Sequence, residues 1–114
     1  MHEASVARSM LEIVEKTVQE HPGAKVRIIR VSLGALSHID DEALQFAFEV
    51  LKRETIASEA ELEIEHEQLR GRCKECGEEF LSEVLERPCP GCGGFSIQWE
   101  GEGDSRVLSI DIDD

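Results

Sequence analysis

The sequence has no run approaching the roughly 20 consecutive apolar residues that span a bilayer, and basic residues are few. There are 12 Lys and Arg against 25 Asp and Glu, which gives a formal net charge of -13. Because no apolar run is long enough, we do not expect a membrane protein. Because the negative charge is repelled by phosphate backbones, we do not expect a nucleic-acid-binding protein either. A serine or cysteine nucleophile arrangement and a phosphate-binding glycine loop are also missing, and we therefore expect no enzyme.

The N-terminal segment lacks a basic region followed by an apolar one, which predicts a protein without a signal peptide. We therefore expect a reducing, cytoplasmic location, where four cysteines are more typical of metal binding than of disulfides. The 114 residues fit one domain, or a domain with a small insert.

Periodicity predicts the order helix, strand, helix, strand, insert, strand. Apolar residues recur with helical spacing from Ala4 to Glu20, and Asp40 can cap a second helix. Strands are predicted from Lys25 to Leu33, from Glu61 to Leu69 and from Arg106 to Asp113. The expected fold is α+β, with two helices on a three-stranded sheet and a cysteine-bearing insert between the second and third strands.

The apolar positions predict which side chains form the core. On the third strand we expect Leu108, Ile110 and Ile112 to face inward, and His66 lies on the apolar face of the second. The helices contribute two stripes of apolar residues: Ala7, Met10, Leu11, Val14 and Val18 on the first, and Leu44, Ala47, Phe48 and Leu51 on the second.

Two CxxC pairs, Cys73 with Cys76 and Cys89 with Cys92, are separated by twelve residues. Two residues between thiols let one tight turn aim both sulfurs at one ion, and two such turns give the closed S4 set that zinc prefers. Iron in a rubredoxin-like electron carrier uses the same spacing. We favour zinc because the pairs lie in an insert on a larger scaffold. The apolar side chains expected around these turns are Phe80, Phe95, Ile97 and Trp99.

Met1-His2-Glu3 precedes the first helix directly. The plain interpretation is a start residue followed by two polar ones. However, the terminal amine, the His2 amide nitrogen and the His2 imidazole can close two adjacent chelate rings in one plane, which suits Ni(II) or Cu(II). Glu3 can add an oxygen, and Asp40 can approach from the second helix cap, although it is more simply a cap. His38 is a further candidate for a fourth nitrogen.

Taken together, these segments resemble the HypA/HybF family of hydrogenase nickel-incorporation proteins over essentially the whole chain. The features that carry the resemblance are Met1-His2-Glu3, Val31–Ser37, Ala43–Glu49, the two cysteine pairs with Pro90 and Gly93, and Leu108–Ile112. The stretch Ser37-His38-Ile39-Asp40 departs from the Ser-Gly-Val-Asp expected of the family, because a histidine stands in the glycine position.

The resemblance implies a nickel-binding domain of residues 1–70 plus 104–114 and a zinc-ribbon domain of residues 71–103. It implies His2 as a nickel ligand, with Glu3 as a further contact, and the four cysteines as zinc ligands. It also implies that a HypB-type GTPase helps to deliver nickel to the large subunit of [NiFe]-hydrogenase. A homodimer is compatible with the sequence.

Two other functions compete with a non-enzymatic nickel carrier. One is a zinc-ribbon interaction adaptor without a transferable metal, which has no need of His2. The other is an electron carrier with iron at the four cysteines, whose purified form is red and redox-active.

Overall fold

The structure is a computed structural model that describes residues 3–113, and these residues form two compact units. The first, here called the helix–sheet unit, comprises the residues up to Leu33, the segment Ile39–Glu65 and the segment from Ser105. The second, the ribbon unit, comprises Gly34–His38 and His66–Asp104. The ribbon unit is therefore inserted into the chain of the helix–sheet unit.

The order of elements confirms the predicted α+β fold, with two helices, a three-stranded sheet and an insert before the last strand. The sheet of the helix–sheet unit has the strand order β2-β1-β6, and the ribbon unit has its own sheet of order β4-β3-β5. The described elements are α1 (Glu3–Val18), β1 (Lys25–Leu33), α2 (Asp41–Leu51), β2 (Glu61–His66), β3 (Leu69–Cys73), β4 (Glu79–Ser82), β5 (Ile97–Glu100) and β6 (Ser105–Asp113).

Both helices begin and end where local chemistry dictates. Helix α1 ends at Val18, just before the turn at His21-Pro22-Gly23, where Gly23 has a φ of 84° that favours glycine. Asp40 caps α2 as predicted, because its Oδ1 accepts a hydrogen bond from the Glu42 N–H at 3.3 Å. Within residues 3–113, neither helix has the length and apolar character needed to cross a bilayer.

The core of the helix–sheet unit lies between the helices and the sheet. The predicted stripe of α1 is buried throughout, while on α2 Leu44 and Phe48 are fully buried and Ala47 and Leu51 pack against them. The strands supply the other side of this core with the buried residues Val26, Ile29, Val31, Leu33 and Leu62. The helical part of the predicted core is therefore confirmed.

The pairing of β1 with β6 is irregular between Val26 and Ile28 and again between Arg30 and Val31, and the second irregularity changes which residues of β6 face this core. The antiparallel register passes from Arg30 opposite Ser109 to Val31 opposite Val107, which leaves Leu108 as the extra residue of a bulge. Leu108 is consequently 47% exposed, and Val107 packs against the core in its place. The prediction that Leu108 faces inward is wrong, whereas Ile110 and Ile112 do pack against the core.

The predicted strand from Glu61 to Leu69 is two strands. Strand β2 ends at His66, and Leu69 begins β3 of the ribbon unit. His66 is exposed, so the prediction that it belongs to the core is wrong. The alternation of side chains is a property of one strand, and it carries no information beyond the point where the chain leaves the sheet.

The two phenylalanines of α2 provide a direct test of this core. Phe48 is fully buried and also lies under the Lys52 ammonium, whose Nζ is 5.4 Å from the ring centroid, whereas Phe46 is 72% exposed. We expect Phe48→Ala to lower the free energy of unfolding by about 3–5 kcal/mol, because it leaves a cavity in the core. Phe46→Ala, two residues away on the same helix, is the control and should cost less than about 1 kcal/mol in urea unfolding followed by circular dichroism. Equal losses in the two variants would contradict the assigned core.

Candidate metal centres

The ribbon unit holds its first cysteine pair at the end of a central strand. Strand β3 pairs with β4 on one side and with β5 on the other, both antiparallel, and Cys73 is its last residue. Gly71 faces Phe80 of β4 and Trp99 of β5 across these pairs, and the two rings meet edge to face with centroids 5.6 Å apart. A Cβ at Gly71 would lie 2.7 Å from Phe80 Cζ, so the rings can close over β3 only because this residue is glycine.

The two cysteine pairs adopt the same turn. The Gly77 N–H donates to the Cys73 carbonyl and the Gly93 N–H donates to the Cys89 carbonyl, each at 2.9 Å. Both glycines have positive φ, 79° and 77°, a conformation that L side chains rarely adopt. The glycine after each pair is therefore what lets the backbone fold back beneath the sulfurs.

These turns bring four free thiols to one place. Cys73 Sγ lies 3.6 Å from Cys92 Sγ, Cys76 Sγ lies 3.5 Å from Cys89 Sγ, and all four sulfurs lie within 4.8 Å of one another. A regular tetrahedron with metal–sulfur bonds of about 2.3 Å has edges of about 3.8 Å. The donor set and its spacing therefore fit a tetrahedral ion of the zinc or ferrous type. Within the described part of the chain, no other group of three or more metal-binding side chains converges in this way.

Hydrogen bonds and burial displace the pKa values of these thiols. The Cys76 N–H donates to Cys73 Sγ at 3.5 Å and is the largest cause that lowers the pKa of Cys73 to about 7. The Glu78 N–H lowers the pKa of Cys76, but the neighbouring sulfurs, Cys89 first, and partial loss of water around the Cys76 sulfur outweigh it and raise that pKa to about 12. The Gly94 N–H lowers the pKa of Cys92, but the Cys73 sulfur and the same loss of water outweigh it, so that pKa is raised.

Two of the cysteines are closed off from solvent and two are not. Cys73 and Cys89 are buried, at 1% and 2% exposure, whereas Cys76 and Cys92 are exposed. Four thiolates leave no open coordination position, so such a centre does not activate water. With zinc it would hold the chain together, and with iron it could also carry an electron.

Two acidic side chains lie beside the cysteine turns, which the sequence analysis did not anticipate. Glu78 Oε2 lies 4.0 Å from Cys89 Sγ, and the carboxylates of Glu78 and Glu75 occupy the space that side chains at Gly91 and Gly94 would need. No sequence motif marks this arrangement, since it depends on how the two turns face each other.

The apolar side chains expected around the turns divide into two groups. Phe80, Ile97 and Trp99 are partly buried, and the Arg87 guanidinium lies over the Phe80 ring at 5.3 Å from its centroid. Phe95 is 72% exposed, so the expectation that it packs around the turns is wrong.

The second predicted metal site begins outside the described residues, because Met1 and His2 are not among them. Glu3 is the first residue of α1, is only 9% exposed, and its Oε2 accepts a hydrogen bond from the Asp40 N–H at 3.0 Å. The structure therefore brings Glu3 to the N-terminal end of α2, next to the Asp40 cap. A helix N-terminus stabilises a carboxylate through its free N–H groups and its dipole.

His38 belongs to the ribbon unit, whereas Glu3 and Asp40 belong to the helix–sheet unit. Its backbone has a φ of 56°, the left-handed region that favours glycine, and its side chain is exposed. This conformation explains why the family has a glycine at this position, and histidine is among the other residues that adopt it most often. The backbone conformation of His38 therefore gives no evidence that its imidazole binds metal.

The fold and the cysteine site define a class of metal-binding protein in which a four-cysteine ribbon is inserted before the last strand of a helix–sheet unit. The model of the family described as hydrogenase/urease nickel incorporation, metallochaperone, hypA matches residues 1–112. The chain belongs to the HypA family. Its members are nickel metallochaperones and not enzymes.

Other members of the family are similar to this chain over its full length. The chain is 39% identical to hydrogenase maturation factor HypA of Syntrophus aciditrophicus, covering 99% of this chain and 100% of that one. It is 36% identical to hydrogenase maturation factor HypA 2 of Bradyrhizobium diazoefficiens, with the same coverage. The solution structure of the Ni metallochaperone HypA from Helicobacter pylori superimposes with a TM-score of 0.65 at 27% identity, covering 98% of this chain and 97% of that one.

The displaced thiol pKa values predict that metal loading of the ribbon releases protons. At pH 7 the Cys76 and Cys92 thiols are protonated, because their pKa values are raised, and Cys73 is about half ionised. We expect roughly two or more protons per bound ion, and metal affinity that falls as the pH falls because protons compete for the same sulfurs. Calorimetry in buffers of different ionisation enthalpy measures this number. Uptake without proton release would mean that the thiols are ionised before the ion arrives.

The two units predict a variant that loses only one of them. Cys73→Ala removes a buried ligand at the end of β3, and we expect it to disorder roughly residues 72 to 100 while the helix–sheet unit stays folded. Amide spectra should keep dispersed resonances for α1, α2 and β1. Asp104→Ala, a surface change in the same insert, is the control. Loss of every dispersed resonance in Cys73→Ala would show that the helix–sheet unit depends on the ribbon.

Proposed function

We propose that this protein carries nickel during maturation of [NiFe]-hydrogenase, binding the ion at Met1-His2-Glu3 and passing it to the hydrogenase large subunit with a HypB-type GTPase. Membership of the family supports the nickel-carrier part. The observation that carries the location is Glu3, whose buried carboxylate is held by the Asp40 N–H at the N-terminal end of α2. We place this function in the cytoplasm.

The proposed nickel ligands are the terminal amine of Met1, the His2 amide nitrogen and the His2 imidazole. The amine and the amide close a five-membered ring, and the amide and the imidazole close a six-membered ring. Three nitrogens in one plane suit Ni(II), and the open fourth position lets a partner's ligand enter before the first three leave. Glu3 is a further contact, although one of its oxygens already accepts the Asp40 N–H.

The proposed role of the ribbon is structural, with zinc at Cys73, Cys76, Cys89 and Cys92. When bound, the ion supplies a closed S4 centre that fixes the two cysteine turns. In functional terms we assign residues 1–70 plus 104–114 to nickel binding and residues 71–103 to the zinc ribbon. The two proposed sites use different ligands, and nitrogen ligands avoid holding the cargo ion as firmly as four thiolates would.

An N-terminal extension tests the proposed nickel site. Glycine and serine residues added before Met1 remove the terminal amine and leave the imidazole intact, so we expect nickel affinity to fall nearly as far as in His2→Ala. In both variants the ribbon metal should remain bound to the cysteines, as measured by metal analysis. Nickel binding by the native protein should also weaken as the pH falls from about 8, because the terminal amine and the amide nitrogen must be deprotonated and the imidazole must be neutral.

The matched control is His21→Ala, which removes an exposed histidine at the far end of α1 and should bind nickel as the native protein does. If the extended protein binds nickel as tightly as the native one, the chelate through the terminal amine is wrong. If His2→Ala also binds nickel as tightly as the native protein, the ion lies at a site that does not use His2. If the native protein itself binds no nickel, it is better explained as an adaptor without a transferable metal.

A further inference from the structure

Each sulfur of the first cysteine turn lies against a sulfur of the second turn. Cys73 Sγ is 3.6 Å from Cys92 Sγ, and Cys76 Sγ is 3.5 Å from Cys89 Sγ. A disulfide has a sulfur–sulfur bond of about 2.05 Å, so either pair needs an approach of only about 1.5 Å to form one. The four cysteines therefore divide into two cross-turn pairs, each of which joins one turn to the other.

One sulfur of each cross-turn pair is open to solvent. Cys76 and Cys92 are exposed, whereas their partners Cys89 and Cys73 are buried. An oxidant in solution reaches the exposed sulfur first, and the buried partner is placed to attack the oxidised sulfur next. Redox-sensing cysteines share this arrangement, because a second thiolate at contact distance stops the oxidation at a reversible disulfide.

Two carboxylates add negative charge beside these pairs. Glu78 Oε2 lies 4.0 Å from Cys89 Sγ, and the Glu75 carboxylate and Cys92 Sγ both border the space beside Gly94. Within residues 3–113, neither carboxylate forms an ion pair with a lysine or arginine. Their charges are therefore not neutralised by a partner.

These carboxylates favour loss of the ion through oxidation of the sulfurs. A zinc ion on four thiolates has a net charge of about −2, because the ion contributes two positive charges and the sulfurs four negative ones. Two disulfides are neutral, and the ion leaves with its own charge. The oxidised centre therefore has two fewer negative charges beside Glu75 and Glu78, which lowers the electrostatic repulsion there.

We propose that the ribbon is a redox-sensitive metal site, in which a peroxide converts Cys73 with Cys92 and Cys76 with Cys89 to two disulfides and releases the ion. The inference rests on the metal proposed for the ribbon and is independent of the nickel site. It gives the four cysteines a regulatory task besides the structural one.

The oxidation of each pair takes two steps. The exposed thiolate attacks one oxygen of hydrogen peroxide, the O–O bond breaks, and the sulfur becomes a sulfenic acid while the other oxygen leaves as hydroxide. The buried thiolate then attacks that sulfur, the S–O bond breaks, and a second hydroxide leaves. Two protons from solvent convert the two hydroxides to water, so one peroxide accepts the two electrons that each disulfide gives up.

Cross-turn disulfides preserve the fold that the ion maintains. They tie the first turn to the second, as the ion does, so the oxidised ribbon keeps its sheet and binds zinc again after reduction by a dithiol. Trp99 reports on this sheet, because it is the only tryptophan of the chain and its ring packs edge to face on Phe80.

The test follows zinc release from the full chain, loaded with zinc alone, after hydrogen peroxide is added. A chromogenic chelator measures the released zinc, and mass spectrometry of peptides maps the disulfides. We expect one zinc ion to leave for about two peroxide molecules consumed, with disulfides that join Cys73 to Cys92 and Cys76 to Cys89. Trp99 fluorescence should stay close to that of the zinc-loaded chain, and zinc should rebind after dithiothreitol is added.

Two neighbouring carboxylates provide a matched pair of variants. Glu78→Gln keeps the shape of the side chain beside Cys89 and removes its charge. Glu79→Gln makes the same change at the next residue, whose side chain is exposed and lies opposite Arg72 in the pairing of β3 with β4. At equal peroxide concentration we expect Glu78→Gln to slow zinc release at least about threefold and Glu79→Gln to leave the rate within about 1.5-fold. Trp99 fluorescence verifies that both variants are folded.

The other outcomes overturn the proposal. Zinc that stays bound in peroxide, disulfides formed within a CxxC pair, or sulfurs oxidised irreversibly to sulfonic acids would each show that the cross-turn pairs are not a redox device. Equal rates in Glu78→Gln and Glu79→Gln would remove the part given to the carboxylate. A chain that holds no zinc before peroxide is added would overturn the proposed ribbon metal as well, so the two failures are told apart.

Discussion

The pairing of β1 with β6 is the interaction on which the rest of this structure depends. It runs antiparallel from Lys25 opposite Asp113 to Leu33 opposite Ser105, and it joins segments separated by the whole second helix and the ribbon unit. Closing this loop costs chain entropy, which the hydrogen bonds and buried apolar side chains of the strand pair offset. Once it is closed, β1 is the central strand of the sheet, and the ribbon becomes an insert with its own fold.

That division explains why the two units are stabilised by different means. The helix–sheet unit has a continuous apolar core, and its outer face is tied by Arg30, which bonds Asp111 of β6 and Glu63 of β2 at 3.0 Å each. These carboxylates, Asp111 more than Glu63, raise the pKa of the Arg30 guanidinium above its ordinary value, so Arg30 carries its charge at any pH at which the protein is folded. The ribbon unit has few fully buried apolar side chains, among them Leu69 and two of its cysteines. Segments with so small a core are commonly stabilised by a bound ion, which is the role proposed for the four cysteines.

Much of this organisation was predictable, and the exceptions have a common cause. The helical stripes, the Asp40 cap and the convergence of the cysteines depend on spacing over a few residues, which the sequence carries directly. The sequence pattern predicts the wrong orientation for Leu108 and His66. Their orientation depends on a bulge and on the end of a strand, which are set by pairing with distant residues. The sequence shows the carboxylate of Glu3, but only the fold shows that its Oε2 accepts a hydrogen bond from the Asp40 N–H.

The two proposed metal sites differ in how many coordination positions the chain itself would fill. Four converging thiols, with two sulfur–sulfur distances of 3.6 and 3.5 Å, would fill every position of a tetrahedral ion, so a bound metal would leave the reduced thiols only if the turns opened. The proposed nickel site has three nitrogens and an open position, and a ligand of the receiving protein can bind the ion before any bond is broken. A carrier requires such an incomplete site, because an ion held on all sides must first be released into water. The Asp40 N–H, which donates to Glu3 Oε2, fixes the third residue of the chain at the N-terminal end of α2. In the proposal, ligand geometry thus decides whether an ion stays or moves: a closed set of four thiolates keeps its ion, and an incomplete set of nitrogens lets its ion pass to another protein.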